Sequence, residues 1–423
     1  MKKTLIPMRF VLLFCTFLMS VLLYVDRASI SAAKNDICAD LHIGITEFGW
    51  IMAVFTLGYA LFQTPSGKLA DKAGPRVVIT FIVAAWSFLT SLTGLVRSYS
   101  SMLLVRFLFG GAEAGAFPAL SKVVFNWFPH KERGIAQGIN FSGSRIGAAF
   151  AMPLVAWMIT TSGWRNTFLV IGLIGFIYSA LWYLLFRNKP EDSGFISNEE
   201  MTYITGNRQQ EEKAERRLSF INLMASSTVW KLMIQYICSN FTFYFTITWM
   251  YTYILDRFGL GAVETGLYAS VPLIAGAAGN WFGGILVDYI FRKGNWKLSR
   301  RIPAVAGFIV SASGMILVTF ADSPAISVLY MSLAVFGADM TLSPSWAFCI
   351  DAGKQDAGLV SGTMNMAGNL GAFITIITFP YVFTLTKSYE PFFLICAALS
   401  IVAVFMWLAL DPKTVISPNN TFS

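Results

Sequence analysis

An all-α integral membrane protein, with twelve transmembrane helices in two pseudo-symmetric six-helix bundles, is the fold predicted by this sequence of 423 residues. Three observations predict it. The chain is 56% hydrophobic, 15% aromatic and 13% charged, whereas a soluble domain carries roughly 25% charged residues. It therefore lacks the polar surface to cover soluble cores of this size, and lipid is the alternative solvent. Twelve segments reach the roughly 20 apolar residues that cross a hydrocarbon core. Short motifs recur between the two halves of the chain.

The spans fall at 9–31, 46–66, 77–96, 99–121, 136–161, 165–186, 228–253, 264–290, 301–321, 325–348, 358–383 and 389–410. The first begins close to the N-terminus and superficially resembles a signal peptide. Its apolar run is too long for an ordinary leader and no small-x-small site follows it, so a retained helix is expected. Arg97 and Ser98 alone separate the third and fourth spans, and the fifth and sixth meet near Ser162 and Gly163. Such short hairpins suit a packed bundle. The longest hydrophilic stretch, 187–227, divides the chain into a bundle at 1–190, a linker at 191–227 and a bundle at 228–423. The charged run at 208–217 predicts a short exposed helix, and the stretch after it is expected to lie at the membrane interface.

A formal charge of +8 would suggest nucleic acid in a soluble chain. Here the charges flank apolar segments, where they orient the chain. Of the 31 lysines and arginines, Arg27, Arg106 and Arg145 lie inside spans. Lys34, Arg97, Arg165, Arg257 and Lys387 fall on the outer side, and all the others share the side of the N-terminus. That imbalance predicts cytoplasmic N- and C-termini in a bacterial inner membrane. The five cysteines form no C-x-x-C pair and read as small buried residues. With only His42 and His130, both expected in loops, neither a metal site nor a cofactor is predicted. Without a nucleophile–base pair an enzyme is not expected, and nothing in the apolar faces demands a second copy, so a monomer is.

Gly67-Lys-Leu-Ala-Asp71 follows the second span, and Gly284-Ile-Leu-Val-Asp288 follows the eighth. Gly138, Gly147 and Ala148 match Gly362, Gly371 and Ala372 at an offset of 224, which sets Arg145 against Asn369. Two related halves are what alternating access requires, with the solute near the membrane midplane between them. Buried charges then mark the transport path. Asp26, Glu113 and Asp339 interrupt apolar runs, as do the three intramembrane arginines, and charges at that depth are costly unless paired, wetted or functional. Arg106 and Glu113, seven residues apart, share one helix face. Asp26 and Arg27 are adjacent and point differently, so that one faces a cavity while the other pairs with a neighbouring helix. A carboxylate for which proton and arginine compete is a physical basis for coupling. Asp26 and Glu113 are the candidates for it, with static pairing as the plainer reading. Asp339 either shares that role or caps a broken helix ahead of Pro344.

Arg27 and Arg145 are candidates for the carboxylate of an anionic solute, because the guanidinium fork matches it. Arg145 equally suits a pairing with Glu113, and Arg106 is expected to organise the carboxylates. Tyr59, Ser144, Asn240, Tyr244 and Asn369 are polar side chains placed to receive the rest of a hydroxylated solute, or to act as helix–helix glue.

Gly67, Asp71, Gly74 and Arg76, in Gly-Lys-Leu-Ala-Asp-Lys-Ala-Gly-Pro-Arg, resemble the signature loop between the second and third helices of major facilitator transporters. That resemblance implies that the loop and its counterpart Asp288 latch the cytoplasmic side. Tyr24-Val-Asp26-Arg27, the stretch from Arg106 to Pro118 and Trp127-Phe-Pro-His-Lys-Glu-Arg133 are similar to the anion:cation symporters of that superfamily. This second resemblance implies that Asp26 and Glu113 are protonatable, that Arg27 meets the substrate carboxylate and that Arg106 links the charges. It also implies that Tyr59 and Asn369 line the substrate. Galactonate-type carriers have glutamine at the place of Ser144 and lack Arg145, whose extra cation suits a second carboxylate or the compensation of Glu113. The expected activity is symport of protons with an aldonate, aldarate or hexuronate. Exchange or efflux of dicarboxylates such as tartrate is the alternative.

Overall fold

Why the chain is helical follows from its solvent. In hydrocarbon each backbone N–H and C=O must be satisfied internally, which a helix does within one segment. The structure, a computed structural model, describes residues 6–208 and 218–416, and no strand occurs among them. In order, the first helices are α1 (Met8–Ala32), α2 (Lys34–Leu41), α3 (Ile45–Ala73), α4 (Pro75–Leu95), α5 (Tyr99–Glu113), α6 (Ala116–Trp127), α7 (Arg133–Leu185) and α8 (Asn198–Asn207). Then come α9 (Phe220–Met224), α10 (Ser227–Thr248), α11 (Met250–Phe258), α12 (Ala262–Arg292), α13 (Trp296–Val318), α14 (Pro324–Met340), α15 (Leu342–Gly353), α16 (Ala357–Thr386) and α17 (Glu390–Ala409). Among the described residues, eight stretches are long and apolar enough by themselves to cross a membrane, and one of them, Pro324–Thr386, holds two of the predicted spans.

Helix ends explain most departures from the predicted spans. The fourth span is two helices, α5 and α6, and the tenth is likewise α14 and α15. A proline lacks the N–H and its ring collides with the carbonyl four residues earlier. Pro118 acts on Ala114 and Pro344 on Met340, where the two breaks lie. The seventh span divides at Trp249, at φ −119°, with no proline nearby. The fifth and sixth spans run together as α7 but bend at Gly163, at φ 80°, so the predicted hairpin is there. The short α2 and α8 are additional to the predicted spans. The charged run at 208–217 lies outside the described residues, apart from Arg208.

The chain forms two compact units. Unit one is Met1–His130, Ile146–Glu212 and Gln355–Thr363; unit two is Lys131–Arg145, Lys213–Lys354 and Met364–Ser423. Their membership does not follow the sequence halves strictly, because the first part of α7 belongs to unit two and the first part of α16 to unit one. In unit one, α5 lies against α3 through Gly110, where a Cβ would come within 2.1 Å of the Phe55 carbonyl oxygen. Such backbone contact is how membrane helices associate without a hydrophobic driving force. Unit two has an aromatic core in which Phe245, Tyr253, Phe379, Phe392 and Phe393 meet, with Phe245 and Phe392 at a centroid distance of 5.1 Å. All five cysteines are free.

Candidate functional site

Among the charged groups buried in apolar surroundings, one constellation in each unit holds the residues singled out by the sequence. In unit one, consecutive residues of α1 diverge by about 100° around the helix, so Asp26 and Arg27 meet different neighbours. Asp26 Oδ1 accepts a hydrogen bond of 3.0 Å from Thr90 Oγ1 on α4. Arg27 Nε donates to Glu113 Oε2 at the end of α5, at 2.7 Å. The Arg27 guanidinium lies over the Tyr59 ring, 4.4 Å from its centroid. Gly110 allows this meeting, since the close α3–α5 contact sets Tyr59 beside the last turn of α5. Glu113 is fully buried, while the Arg27 side chain keeps 14% of its exposure. Glu113 Oε1 is buried and has no hydrogen-bond partner among the described residues.

Arg106, expected to organise the carboxylates, acts on them without direct contact. It makes no direct ion pair among the described residues. Its guanidinium packs over Phe109 and Phe55, at 4.5 and 5.0 Å from the ring centroids. Its charge reaches Glu113 and Asp26 only across space. Aromatic faces supply part of what a carboxylate would otherwise give a buried cation. Direct pairing with Glu113 falls to Arg27, whose Nε reaches Oε2 from α1.

In unit two the carboxylate that meets Arg145 is Asp339. Arg145 does not compensate Glu113. Nε and Nη2 donate to Asp339 Oδ2 and Oδ1, both at 2.6 Å, in a buried bidentate pair. Phe243 supports the guanidinium face at 3.5 Å. Asp339 therefore does not cap α15, whose first residues receive no side-chain cap. Asn280 Nδ2 is 3.4 Å from Asp339 Oδ2. Tyr244 and Asn369 come together through a long hydrogen bond, 3.5 Å from the tyrosine hydroxyl to Asn369 Oδ1. Asn240 turns back on its own helix, donating to the Tyr236 carbonyl oxygen. Ser144 is fully buried, and its Oγ has no partner among the described residues.

The repeated Gly-x3-Asp motifs have one local geometry. Asp71 Oδ1 and Oδ2 accept from the Gly358 and Leu359 N–H groups at 2.9 and 2.7 Å, at the start of α16. Asp288 does the same for Gly134 and Ile135 at the start of α7, at 2.9 and 2.8 Å. A carboxylate there meets orphan N–H donors and the positive end of the helix dipole. Gly67 permits the first contact, since a Cβ would fall 2.1 Å from the Gly358 carbonyl oxygen. Gly74, at φ 82°, turns the chain into α4, and Arg76 fixes the turn by donating Nε to the Tyr183 carbonyl oxygen at 3.0 Å. Asp71→Ala strands two amide donors, so a loss of about 1–3 kcal/mol is expected. A thermal melt of the purified chain reads it, and an unchanged midpoint would mean the contacts carry no energy.

The sequence reading missed Asp351. Its carboxylate accepts from Arg133 Nη1 at 2.8 Å, from Arg300 Nε and Nη2 at 3.0 and 2.8 Å, and from Trp296 Nε1 at 3.3 Å. The signal was available, because Asp351 ends an apolar run, but its partners lie far along the chain.

The chain belongs to the Major Facilitator Superfamily, whose description matches residues 16–376. It is thus a multi-pass membrane transporter of the twelve-span fold and not an enzyme. Among its relatives is the "Probable galactarate/D-glucarate transporter GarP" of Escherichia coli (strain K12). The two are 31% identical over 97% of both chains. The "Probable sulfoacetate transporter SauU" of Cupriavidus necator is 29% identical over 99% of this chain and 97% of its own. The solved structure of the proton:xylose symporter XylE superposes with a TM-score of 0.75 at 14% identity, covering 98% of this chain and 99% of that one.

Proposed function

We propose that the protein takes up a small hydroxylated organic anion, an aldonate, aldarate or hexuronate, together with protons across the bacterial inner membrane by alternating access. The buried Arg27–Glu113 pair carries this reading. Arg27 is partly exposed and its carboxylate partner is not, so an arriving anion competes with Glu113 for the guanidinium. Glu113, released from its counter-ion in a dry environment, then favours its protonated form. Proton binding and anion binding support each other in this way, which is the requirement for symport. Asp26, held by a neutral hydroxyl from Thr90, is the second proton carrier in this reading. Arg106 biases both carboxylates through its field. Tyr59 in unit one, and Ser144, Asn240, Tyr244 and Asn369 in unit two, are assigned to the hydroxyl groups of the solute. No cofactor other than the coupling protons is required.

The names of the relatives support a small organic anion as the cargo: galactarate and D-glucarate, hydroxylated dicarboxylates, for one, and sulfoacetate, a dianion without hydroxyl groups, for another. The distribution of lysine and arginine supports cytoplasmic termini, and a monomer in the lipid bilayer suffices for the cycle.

Uptake into proteoliposomes tests the proposal, using aldonates, aldarates, hexuronates and tartrate with and without an inward proton gradient. Gradient-driven accumulation of the sugar acids is expected. Uptake that needs an internal anion and ignores the imposed pH would instead establish exchange. Arg27→Lys replaces a planar fork by a point charge, and about tenfold weaker apparent affinity is expected, ~1.4 kcal/mol. Unchanged affinity would remove Arg27 from the binding site.

A further inference from the structure

Unit two contains a second acid with the surroundings of Glu113. Gly111-Ala112-Glu113 is followed by Pro118, and Gly337-Ala338-Asp339 by Pro344, at a constant offset of 226. Each acid sits in the last turn of a helix that the proline interrupts, Glu113 ending α5 and Asp339 one residue from the end of α14. Each is buried and bound by the Nε of an arginine, and each arginine lies over an aromatic ring. In the register of the Gly67 and Gly284 motifs, Gly276 takes the place of Tyr59. A Cβ on Gly276 would come within 2.3 Å of Asp339 Oδ2, so the missing side chain is what admits the carboxylate.

We propose that Asp339 is a further exchangeable proton site, beyond Glu113 and Asp26, and that Arg145 receives an anionic group of the substrate when Asp339 is protonated. For an aldarate that group is the second carboxylate. The inference rests on the reading of the protein as a carrier of hydroxylated organic acids. One proton adds to the Asp339 carboxylate to give the neutral acid, and the Arg145 charge passes to the incoming carboxylate; no other bond changes. The surroundings suit both states. With the site empty, Asp339 neutralises Arg145 through two hydrogen bonds. Once protonated, Asp339 needs an acceptor. Asn280 Oδ1, on the amide whose nitrogen already lies 3.4 Å from Asp339, is buried with no hydrogen-bond partner among the described residues. The Ser144 hydroxyl, one residue before Arg145, is likewise buried with no hydrogen-bond partner among the described residues. Arg145 is the charged group in contact with Asp339. From α12 come Gly276 and Asn280, and no side chain of α10, α13 or α15 forms an ion pair with it among the described residues.

Binding of galactarate and of galactonate to the purified full-length chain, measured by calorimetry between pH 6 and pH 8, tests this. In the wild type, galactarate should gain affinity more steeply than galactonate as pH falls, by about one extra tenfold step per pH unit. Asp339→Asn should remove that extra step. The neutral double variant R145Q/D339N, which leaves no buried charge unpaired, should lower the galactarate-to-galactonate affinity ratio about tenfold or more. If the single variant does not fold, the double variant decides. Equal pH slopes in the wild type, or a ratio unchanged in the double variant, overturns the proposal while leaving the carrier reading intact. Failure of the wild type to bind either acid overturns both.

Discussion

Glu113→Gln is expected to abolish accumulation driven by a proton gradient while sparing exchange of one labelled anion for another. Glutamine keeps the shape of the side chain and an oxygen for Arg27 Nε, which the carboxylate now meets at 2.7 Å. It cannot bind or release a proton. A monoanion entering with one proton is electroneutral, but without the proton it carries a negative charge against an inside-negative potential. That opposition amounts to about 2.3 kcal/mol per 100 mV, close to fiftyfold in accumulation at equilibrium. Exchange moves no net charge and requires no proton, so it escapes the penalty. Initial rates and plateau levels in proteoliposomes, with and without an imposed pH difference, read the two activities separately. Loss of both would assign Glu113 a structural part, and retention of both would move the coupling proton elsewhere.

The largest effect on stability is expected from Asp351→Ala. Arg133, Arg300 and Asp351 are essentially inaccessible, with side-chain exposures of 0%, 0% and 1%. Removing the acid leaves two guanidinium groups buried with one counter-charge fewer and strands four donated hydrogen bonds. Breaking a buried pair from one side costs about 3–5 kcal/mol, and a fall in melting temperature of about 10 °C is expected for units of this size. Asp351→Asn keeps acceptors but not the charge and should fall part of the way. The variant R133M/R300M/D351L should recover much of the loss, because apolar replacement of a whole buried ionic group is often neutral or better. A melting point in Asp351→Ala equal to that of the wild type would show that water reaches the cluster and compensates the arginines.

The sequence by itself determined the class of fold and the identity of the buried charges. Lipid imposes a demand that is local in the chain, since about twenty apolar residues must follow one another and satisfy their own backbone. The spans were therefore readable to within a few residues, and so were the interruptions at Asp26, Arg27, Arg106, Glu113, Arg145 and Asp339. The Gly67–Asp71 motif was legible for the same reason. What only the tertiary structure decided is which charge meets which. Arg27 and Glu113 are 86 residues apart, Arg145 and Asp339 are 194 apart, and Arg133 and Asp351 are 218 apart. Spacing along a helix gives the face a side chain occupies but not the helix packed against that face, so Arg106 and Glu113 could be set on one face while Arg27, the direct partner of Glu113, could not be read. The prolines divide in the same way: Pro118 and Pro344 adjoin breaks, while Pro65, Pro272, Pro303 and Pro380 sit inside continuous helices. A proline frees a carbonyl wherever it stands, but whether the helix parts there depends on what neighbouring helices offer that carbonyl, and those neighbours come from elsewhere in the chain.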